Sequence, residues 1–212
     1  ACGETLDMAQ LQEIWEAKLE PVYPYRKAGP TVEPITGSLT APAAPKIGVA
    51  KPKVIIPVFP GTNCEYDTAK AFARAGADPE ILVIRNLTPA DVTASCEALV
   101  KAIDNSQIVM LPGGFSGGDE PDGSAKFIAS FFRSPAVTEA VRRLLQQRDG
   151  LMLGICNGFQ ALIKLGLVPY GDIREISQYD PTLTFNTIGR HQSMLVRTRI
   201  ASTGSPWLSK CA

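Results

Sequence analysis

Gly150-Leu151-Met152-Leu153-Gly154-Ile155-Cys156-Asn157-Gly158-Phe159-Gln160 is the stretch on which the reading of this chain turns. Its short apolar run predicts a strand, Gly-Ile-Cys-Asn-Gly a sharp turn, and Phe159, Leu162 and Ile163 the first helical period. A thiol at the apex of strand, turn and helix is the layout of a nucleophile elbow. The familiar form is Gly-x-Ser-x-Gly, where glycines flank the nucleophile because the turn leaves no room for larger side chains. A helix starting just after Cys156 aims its positive end at the sulfur, a setting that favours thiolate over thiol. Without those glycines, a cysteine at the end of an apolar strand reads as inert core. With them, Cys156 reads as a nucleophile.

Upstream of the elbow, apolar runs alternate with helical patterns. Val54-Ile55-Ile56-Pro57-Val58-Phe59 predicts a first strand ending at Pro60-Gly61, with Thr62 or Asn63 as cap of a helix through Arg74 that Gly76 stops. Ile81-Leu82-Val83-Ile84 predicts a second strand. Thr88-Pro89-Ala90-Asp91 starts a helix to about Asp104, with Thr88 as cap and Pro89 at the first helical position. Ile108-Val109-Met110-Leu111 predicts a third strand, and residues 123–148 helical material interrupted near Ser134-Pro135. Strands that are apolar throughout and alternate with helices imply a parallel sheet with helices on both faces, an α/β fold of the flavodoxin-like kind. After Gly171 the pattern changes. Thr182-Leu183-Thr184-Phe185 and Met194–Ile200 read as strands with no helix between them, which predicts a small antiparallel add-on.

The N-terminal part reads differently. Residues 1–23 hold one amphipathic helix, with Leu11, Ile14, Trp15 and Leu19 at helical spacing and Pro21 at its end. Residues 24–52 carry prolines at 24, 30, 34, 42, 45 and 52 and no hydrophobic period, the mark of a linker. The main domain is expected to span 53–212.

Composition narrows the function classes. The 212 residues carry 21 basic and 21 acidic side chains, and a formal charge of zero argues against a nucleic-acid footprint. No apolar run approaches the roughly 18–20 residues of a membrane span, and no signal-peptide pattern precedes residue 20. Cys2, Cys64, Cys96, Cys156 and Cys211 are scattered, so they read as reduced cytoplasmic thiols rather than a disulfide or metal framework. With one histidine in the chain, a zinc site is not expected. The chain begins with Ala1 and stops at Ala212 just after a turn-like Thr203-Gly204-Ser205-Pro206, which reads as a fragment of a longer polypeptide.

In open parallel sheets ligands bind beyond the carboxyl ends of the strands. Three motifs fall there: Pro60-Gly61-Thr62-Asn63-Cys64, Pro112-Gly113-Gly114-Phe115-Ser116-Gly117-Gly118-Asp119, and the elbow. The N–H groups of Gly114 and Asn157, set side by side, would form an oxyanion hole. Gly113-Gly114 alone reads equally as a glycine-rich turn or a phosphate loop. Cys64 is a rival nucleophile at a strand end, but it lacks the flanking glycines; Cys96 falls in mid-helix and reads as packing.

Taken together, Gly-Ile-Cys-Asn-Gly-Phe-Gln, Pro-Gly-Gly-Phe-Ser-Gly-Gly-Asp and Pro-Gly-Thr-Asn-Cys-Glu resemble the class I (triad) glutamine amidotransferases. Within that superfamily the chain is similar to the glutaminase domain of phosphoribosylformylglycinamidine synthase, of de novo purine synthesis. Phe185–His191 resembles a later segment of that enzyme, and Trp15–Pro24 resembles the end of the synthetase part of its single-chain form. The resemblance implies that Cys156 attacks the side-chain amide of L-glutamine, giving a γ-glutamyl thioester and ammonia. Gly114 and Asn157 would hold the oxyanion, and Phe115 and Gln160 would contact substrate. Ammonia would pass to a synthetase domain of the same polypeptide that aminates formylglycinamide ribonucleotide with ATP and Mg²⁺. Nothing in the chain looks like that ATP site, so no cofactor is expected here.

One departure stands out. The family places a His and a Glu, close together, well after the cysteine. This chain has only His191, inside a segment that resembles another part of the family. The base and its orienting acid are therefore expected beyond Ala212. A flavodoxin-like cysteine hydrolase of the protease and chaperone kind is the alternative enzyme. There His directly follows the cysteine, where this chain has Asn157. A domain that only docks on a synthetase partner is the non-enzymatic alternative.

Overall fold

The computed structural model describes residues 3, 5–22, 48–115, 125–183, 186, 189, 191 and 193–210. The chain groups into two units, Ala43–Thr184 on the one hand and Ala1–Pro42 with Phe185–Ala212 on the other.

Ala43–Thr184 is built on four parallel strands: β1 (Lys53–Val58), β2 (Asp78–Val83), β3 (Ile108–Leu111) and β4 (Leu151–Gly154), in the order β2-β1-β3-β4. Apolar side chains on both faces explain why β1 and β3 lie at the centre. Val54, Ile55, Ile56, Val109, Met110 and Leu111 are all fully buried. The β1–β3 ladder is short, pairing Val54 with Ile108 and Ile55 with Val109. Pro57, which has no N–H to donate, falls beyond that ladder. β2 begins three residues before its apolar run. Asp78 and Pro79 are compatible with it because β2 is an edge strand, paired along its length with β1 alone.

The helices of this unit are α2 (Glu65–Arg74), α3 (Pro89–Asp104), α4 (Lys126–Phe132), α5 (Pro135–Arg142), α6 (Asn157–Leu165) and α7 (Leu167–Tyr170); α1 belongs to the other unit. The step from β1 to β2 runs one way along the sheet, and the steps to β3 and β4 run the other way. Right-handed crossovers therefore set α2 on the opposite face from α3, α4 and α5. This is the α/β architecture with both faces covered that the apolar strands imply.

Leu99 and Ile103 of α3, Phe132 of α4, Val141 of α5 and Leu165 of α6 share one core with Ile55, Val109 and Leu111. The break at Ser134-Pro135 separates α4 from α5, and a π-helical turn at Arg143–Gln147 ends the helical stretch. Phe59, at the end of β1 and 2% exposed, stacks edge-on against Phe127 and Phe131, with centroids 5.7 and 5.5 Å away. That cluster anchors the carboxyl end of β1 in the core.

Two local expectations are corrected. Thr62 and Asn63 do not cap α2. Its cap is Cys64, in a left-handed conformation (φ 69°) with no side-chain cap hydrogen bond. Thr62 is engaged elsewhere, its Oγ1 accepting the Phe59 N–H at 3.1 Å, while the Asn63 side chain donates to the Gly61 carbonyl. Among the described residues the antiparallel add-on also has no strand. Residues 171–183 and 193–200 contain no strand, and Thr184 and Phe185 lie outside the described residues. Strand propensity is realised only where a neighbouring ladder and a buried face support it. Leu195 and Val196 are instead exposed. The segment after α7 is held by polar contacts. The Arg142 guanidinium grips Asp172 at 2.8 Å, and Asp180 accepts from Tyr170, Arg174 and the Ser177 N–H.

In the other unit, α1 (Met8–Ala17) forms where the period predicts it. Asp7 supplies an N-cap that the pattern did not mark, accepting the Ala9 N–H at 2.8 Å. Its apolar residues Met8, Ile14 and Trp15 are more than half exposed. The proline-rich stretch expected to be a linker lies outside the described residues between 23 and 47. No described helix is long and apolar enough to cross a membrane.

Candidate active site

Parallel strands bring their carboxyl ends to one edge of the sheet, so the loops after β1, β3 and β4 meet there. Cys156 stands at the junction of β4 and α6 with φ 53° and ψ −111°. A side chain with a Cβ rarely adopts that conformation, which costs on the order of 1–3 kcal/mol and persists only where the surroundings enforce it. The enforcement is visible in three backbone hydrogen bonds. Ile155 N–H donates to Leu111 O at 3.1 Å, Gly158 N–H to Ile155 O at 2.9 Å, and Gln160 N–H to Cys156 O at 3.0 Å. The thiol is exposed.

The flanking glycines answer to the lack of room that the sequence reading gives as their reason, and not to dihedral freedom. Neither Gly154 nor Gly158 has a positive φ; the cysteine itself bears the strain. The glycines permit contact. A Cβ on Gly158 would fall 2.0 Å from the Leu111 carbonyl oxygen, and one on Gly154 would fall 2.6 Å from the Gly158 backbone. Their absence of side chains lets the first turn of α6 sit directly on β3 and β4.

The β3 loop reaches the elbow from the side. A Cβ placed on Gly113 would lie 3.2 Å from Cys156 Cβ and 3.8 Å from its Sγ. Gly114 follows with φ 135° and is bridged to Thr62 in the β1 loop. Asn63 N–H donates to Gly113 O at 2.8 Å, and Phe115 N–H donates to Gly61 O at 2.9 Å. All three glycine-bearing loops thus converge on one spot.

Of the residues singled out in the sequence, Cys156 and Asn157 are neighbours at the elbow, and Gly114 follows Gly113, the residue that lies against Cys156. Asn157 is the first residue of α6 and 3% exposed, and its side-chain amide donates to Gln160 Oε1 at 3.3 Å. Gln160 is half-buried one turn into the helix, whereas Phe115 is 83% exposed. The remainder of the β3 loop, 116–124, lies outside the described residues. Cys64 is exposed one residue past Asn63, without an elbow. Cys96 packs against the core, with its sulfur 3.5 Å from Ser134 Oγ. His191 is exposed and belongs to the other unit, so the unit that carries Cys156 contains no histidine. Among the described residues no group of His, Cys, Asp and Glu is placed to hold a metal ion.

Thr62 and Asn63, expected as candidate caps of α2, border Gly113 and Gly114 instead. The only hint was their place at a strand end.

An exposed cysteine at a strained strand–helix junction of an α/β sheet, flanked by a Gly-Gly loop, is an arrangement found in hydrolases and transferases that use a thiol nucleophile. Comparison with known proteins narrows the class. The model of the CobB/CobQ-like glutamine amidotransferase domain matches residues 51–212, and the chain belongs to that family. Its relatives include the phosphoribosylformylglycinamidine synthase subunit PurQ of Dehalococcoides mccartyi, 35% identical over 144 residues, which are 68% of this chain and 51% of the relative. The PurQ subunit of Cereibacter sphaeroides is 42% identical over 117 residues, 55% of this chain and 44% of that one. The chain spans about half the length of the curated relatives it matches. The solved structure of PurLQS from Thermotoga maritima is 27% identical over 55% of this chain and 45% of that one, with a TM-score of 0.39, too low to argue from.

Proposed function

We propose that this chain is the glutamine-hydrolysing, ammonia-supplying part of a phosphoribosylformylglycinamidine synthase. The observation that carries the reading is Cys156 at φ 53°, with Gly113 against its side chain, in a member of the glutamine amidotransferase family. The PurQ relatives support the particular reaction.

The steps are those that the resemblance to the glutamine amidotransferases implies. The Cys156 thiolate adds to the side-chain amide carbon of L-glutamine, and the carbonyl oxygen becomes an oxyanion. N–H groups of Gly114 and Asn157 receive it, each such donor being worth ~10²–10³ in rate. Collapse breaks the C–N bond, a proton goes to the leaving nitrogen, and ammonia departs from a γ-glutamyl thioester. Water then releases glutamate and the thiol. Gln160 and Phe115 flank the substrate. The ammonia aminates formylglycinamide ribonucleotide on a synthetase partner, and ATP and Mg²⁺ act in that part.

A triad needs a base, and the chain's one histidine, His191, falls in a segment that resembles another part of the family. We expect the 212 residues by themselves to have negligible glutaminase turnover, because loss of a triad base costs on the order of 10⁴–10⁶ in rate.

Treatment with a diazo-ketone glutamine analogue, followed by mass mapping, tests the reading. Labelling at Cys156 that glutamine blocks supports it; labelling at Cys64, or none, refutes it.

A further inference from the structure

The turn Pro60-Gly61-Thr62-Asn63-Cys64 has no chemical part in the amidotransferase reading, yet it touches the backbone of Gly114 on every side it can reach. A Cβ on Gly114 would fall 2.3 Å from Gly61 O, 2.7 Å from Asn63 N and 2.9 Å from Thr62 Cα. The β1 turn therefore occupies the space where any other residue would carry its side chain. We propose that this turn is a strap that aims the oxyanion donor, with Thr62 as its positioning residue. The inference rests on the amidotransferase reading and adds to it.

Peptide geometry makes the connection. Asn63 N–H donates to Gly113 O at 2.8 Å, which fixes the plane of the Gly113–Gly114 peptide. In a trans peptide the C=O and N–H point in opposite directions. With Gly113 O turned to the strap, the Gly114 N–H is turned away from it. The second bridge bond, Phe115 N–H to Gly61 O at 2.9 Å, holds the other flank of Gly114. Between them they leave the Gly114 N–H outside the bridge, in a loop whose preceding residue lies against Cys156. If the Gly113–Gly114 peptide rotated, its carbonyl rather than its N–H would face the opposite side, and an oxyanion there would be repelled.

The strap is itself held by Thr62. Thr62 N–H donates to Phe59 O at 2.9 Å, and Thr62 Oγ1 accepts from Phe59 N–H at 3.1 Å. The turn is thus closed twice, once through the backbone and once through the hydroxyl. Its root, Phe59, is locked by the stacked rings of Phe127 and Phe131. Removing the hydroxyl leaves the buried Phe59 N–H without its acceptor and loosens the turn that orients Gly114, while no group that contacts the reacting atoms is changed.

The test uses the γ-p-nitrophenyl ester of glutamate, whose leaving group needs no proton, at a pH where thiols ionise without a base. Cys156 sulfur adds to the ester carbon, the oxyanion collapses, the C–O bond breaks, and p-nitrophenolate is released in a stoichiometric burst as the thioester forms. Iodoacetamide alkylates the same sulfur by displacement and develops no oxyanion. We expect Thr62→Val to slow the burst about tenfold, a part of the full cost of losing one donor, with the iodoacetamide rate unchanged and Thr62→Ser restoring the burst. A burst unaffected by Thr62→Val, or equal loss with both reagents, overturns the strap alone. Absence of any burst in the unmodified chain overturns the amidotransferase reading and the strap with it.

Discussion

Replacing Gly158 by alanine puts the contact between α6 and β3 to a quantitative test. Helix propensity favours the change by about 1 kcal/mol, because Gly158 lies in the first turn of α6. Packing opposes it. The new methyl would lie 2.0 Å from the Leu111 carbonyl oxygen and 2.8 Å from Leu111 Cβ, and neither can swing aside because both belong to a fully buried central strand. Relief needs a displacement of about 1 Å of the helix start, and overpacking of this kind costs ~1–3 kcal/mol or more. The net expectation is a loss of up to about 2 kcal/mol in urea unfolding followed by circular dichroism. The same displacement moves Cys156, which is joined to that turn through the Gly158 N–H to Ile155 O and Gln160 N–H to Cys156 O hydrogen bonds. A misplacement of about 1 Å at a reacting centre costs on the order of 10² in rate. Labelling by the glutamine analogue should therefore fall far more than stability does. A Gly158→Ala protein about 1 kcal/mol more stable than its parent would refute the close-contact account of the glycine, because propensity alone would then have decided the outcome.

Other outcomes follow from the same geometry. Cys156→Ser should abolish analogue labelling and Cys64→Ser should leave it unchanged, as read by mass mapping; the reverse pattern would make Cys64 the nucleophile. Glutaminase turnover by the 212 residues alone should be negligible in a coupled glutamate assay, and a rate within about tenfold of an intact amidotransferase would sink the reading of an absent base. Gly114→Ala, which places a methyl 2.3 Å from Gly61 O at φ 135°, should open the β1–β3 loop bridge and expose the Phe115 amide to hydrogen exchange. Unchanged protection there would contradict the strap. Acid should loosen the segment after α7. The Arg142 guanidinium, hydrogen-bonded to Asp172, holds that carboxyl below its ordinary value. A depressed carboxylate contributes stability above its unfolded pKa of about 3.9 and loses it as pH falls through the lower folded value. Urea midpoints of the parent and Asp172→Asn should therefore converge as pH falls through the lowered folded value; a gap that persists below that value would rule out the ion pair as the cause.

Much of this protein is written locally. Val54–Val58, Ile108–Leu111 and Leu151–Gly154 are strands because their apolar runs are bounded by Pro and Gly, and α3 starts where Thr88-Pro89 says it must. Alternation with helices then implies a parallel sheet, whose carboxyl edge collects the glycine-rich loops. The motifs also led to the amidotransferase family, which the match over residues 51–212 bears out. Where the elements end was less legible. The polar start of β2 at Asp78-Pro79 reads as loop, because an edge strand owes its existence to its partner and not to its own hydrophobicity. Met194–Ile200 reads as strand for the opposite reason: its composition suits a sheet, but no ladder forms there.

At the site, residue types at fixed spacing determined that a thiol would stand between a strand and a helix. Only the tertiary structure decided how. Gly158 is needed for contact with Leu111, which lies some forty-odd positions upstream, and Gly154 for contact with Gly158, neither for its own dihedral freedom. The strain falls on the cysteine because three backbone hydrogen bonds from neighbouring elements hold it there. Thr62 and Asn63, residues any local rule would assign to a helix cap, are drawn instead to Phe59, Gly61 and Gly113. A cap and a strap make competing claims on the same donors and acceptors, and the claim that prevails depends on which loops the sheet has already brought within hydrogen-bonding distance.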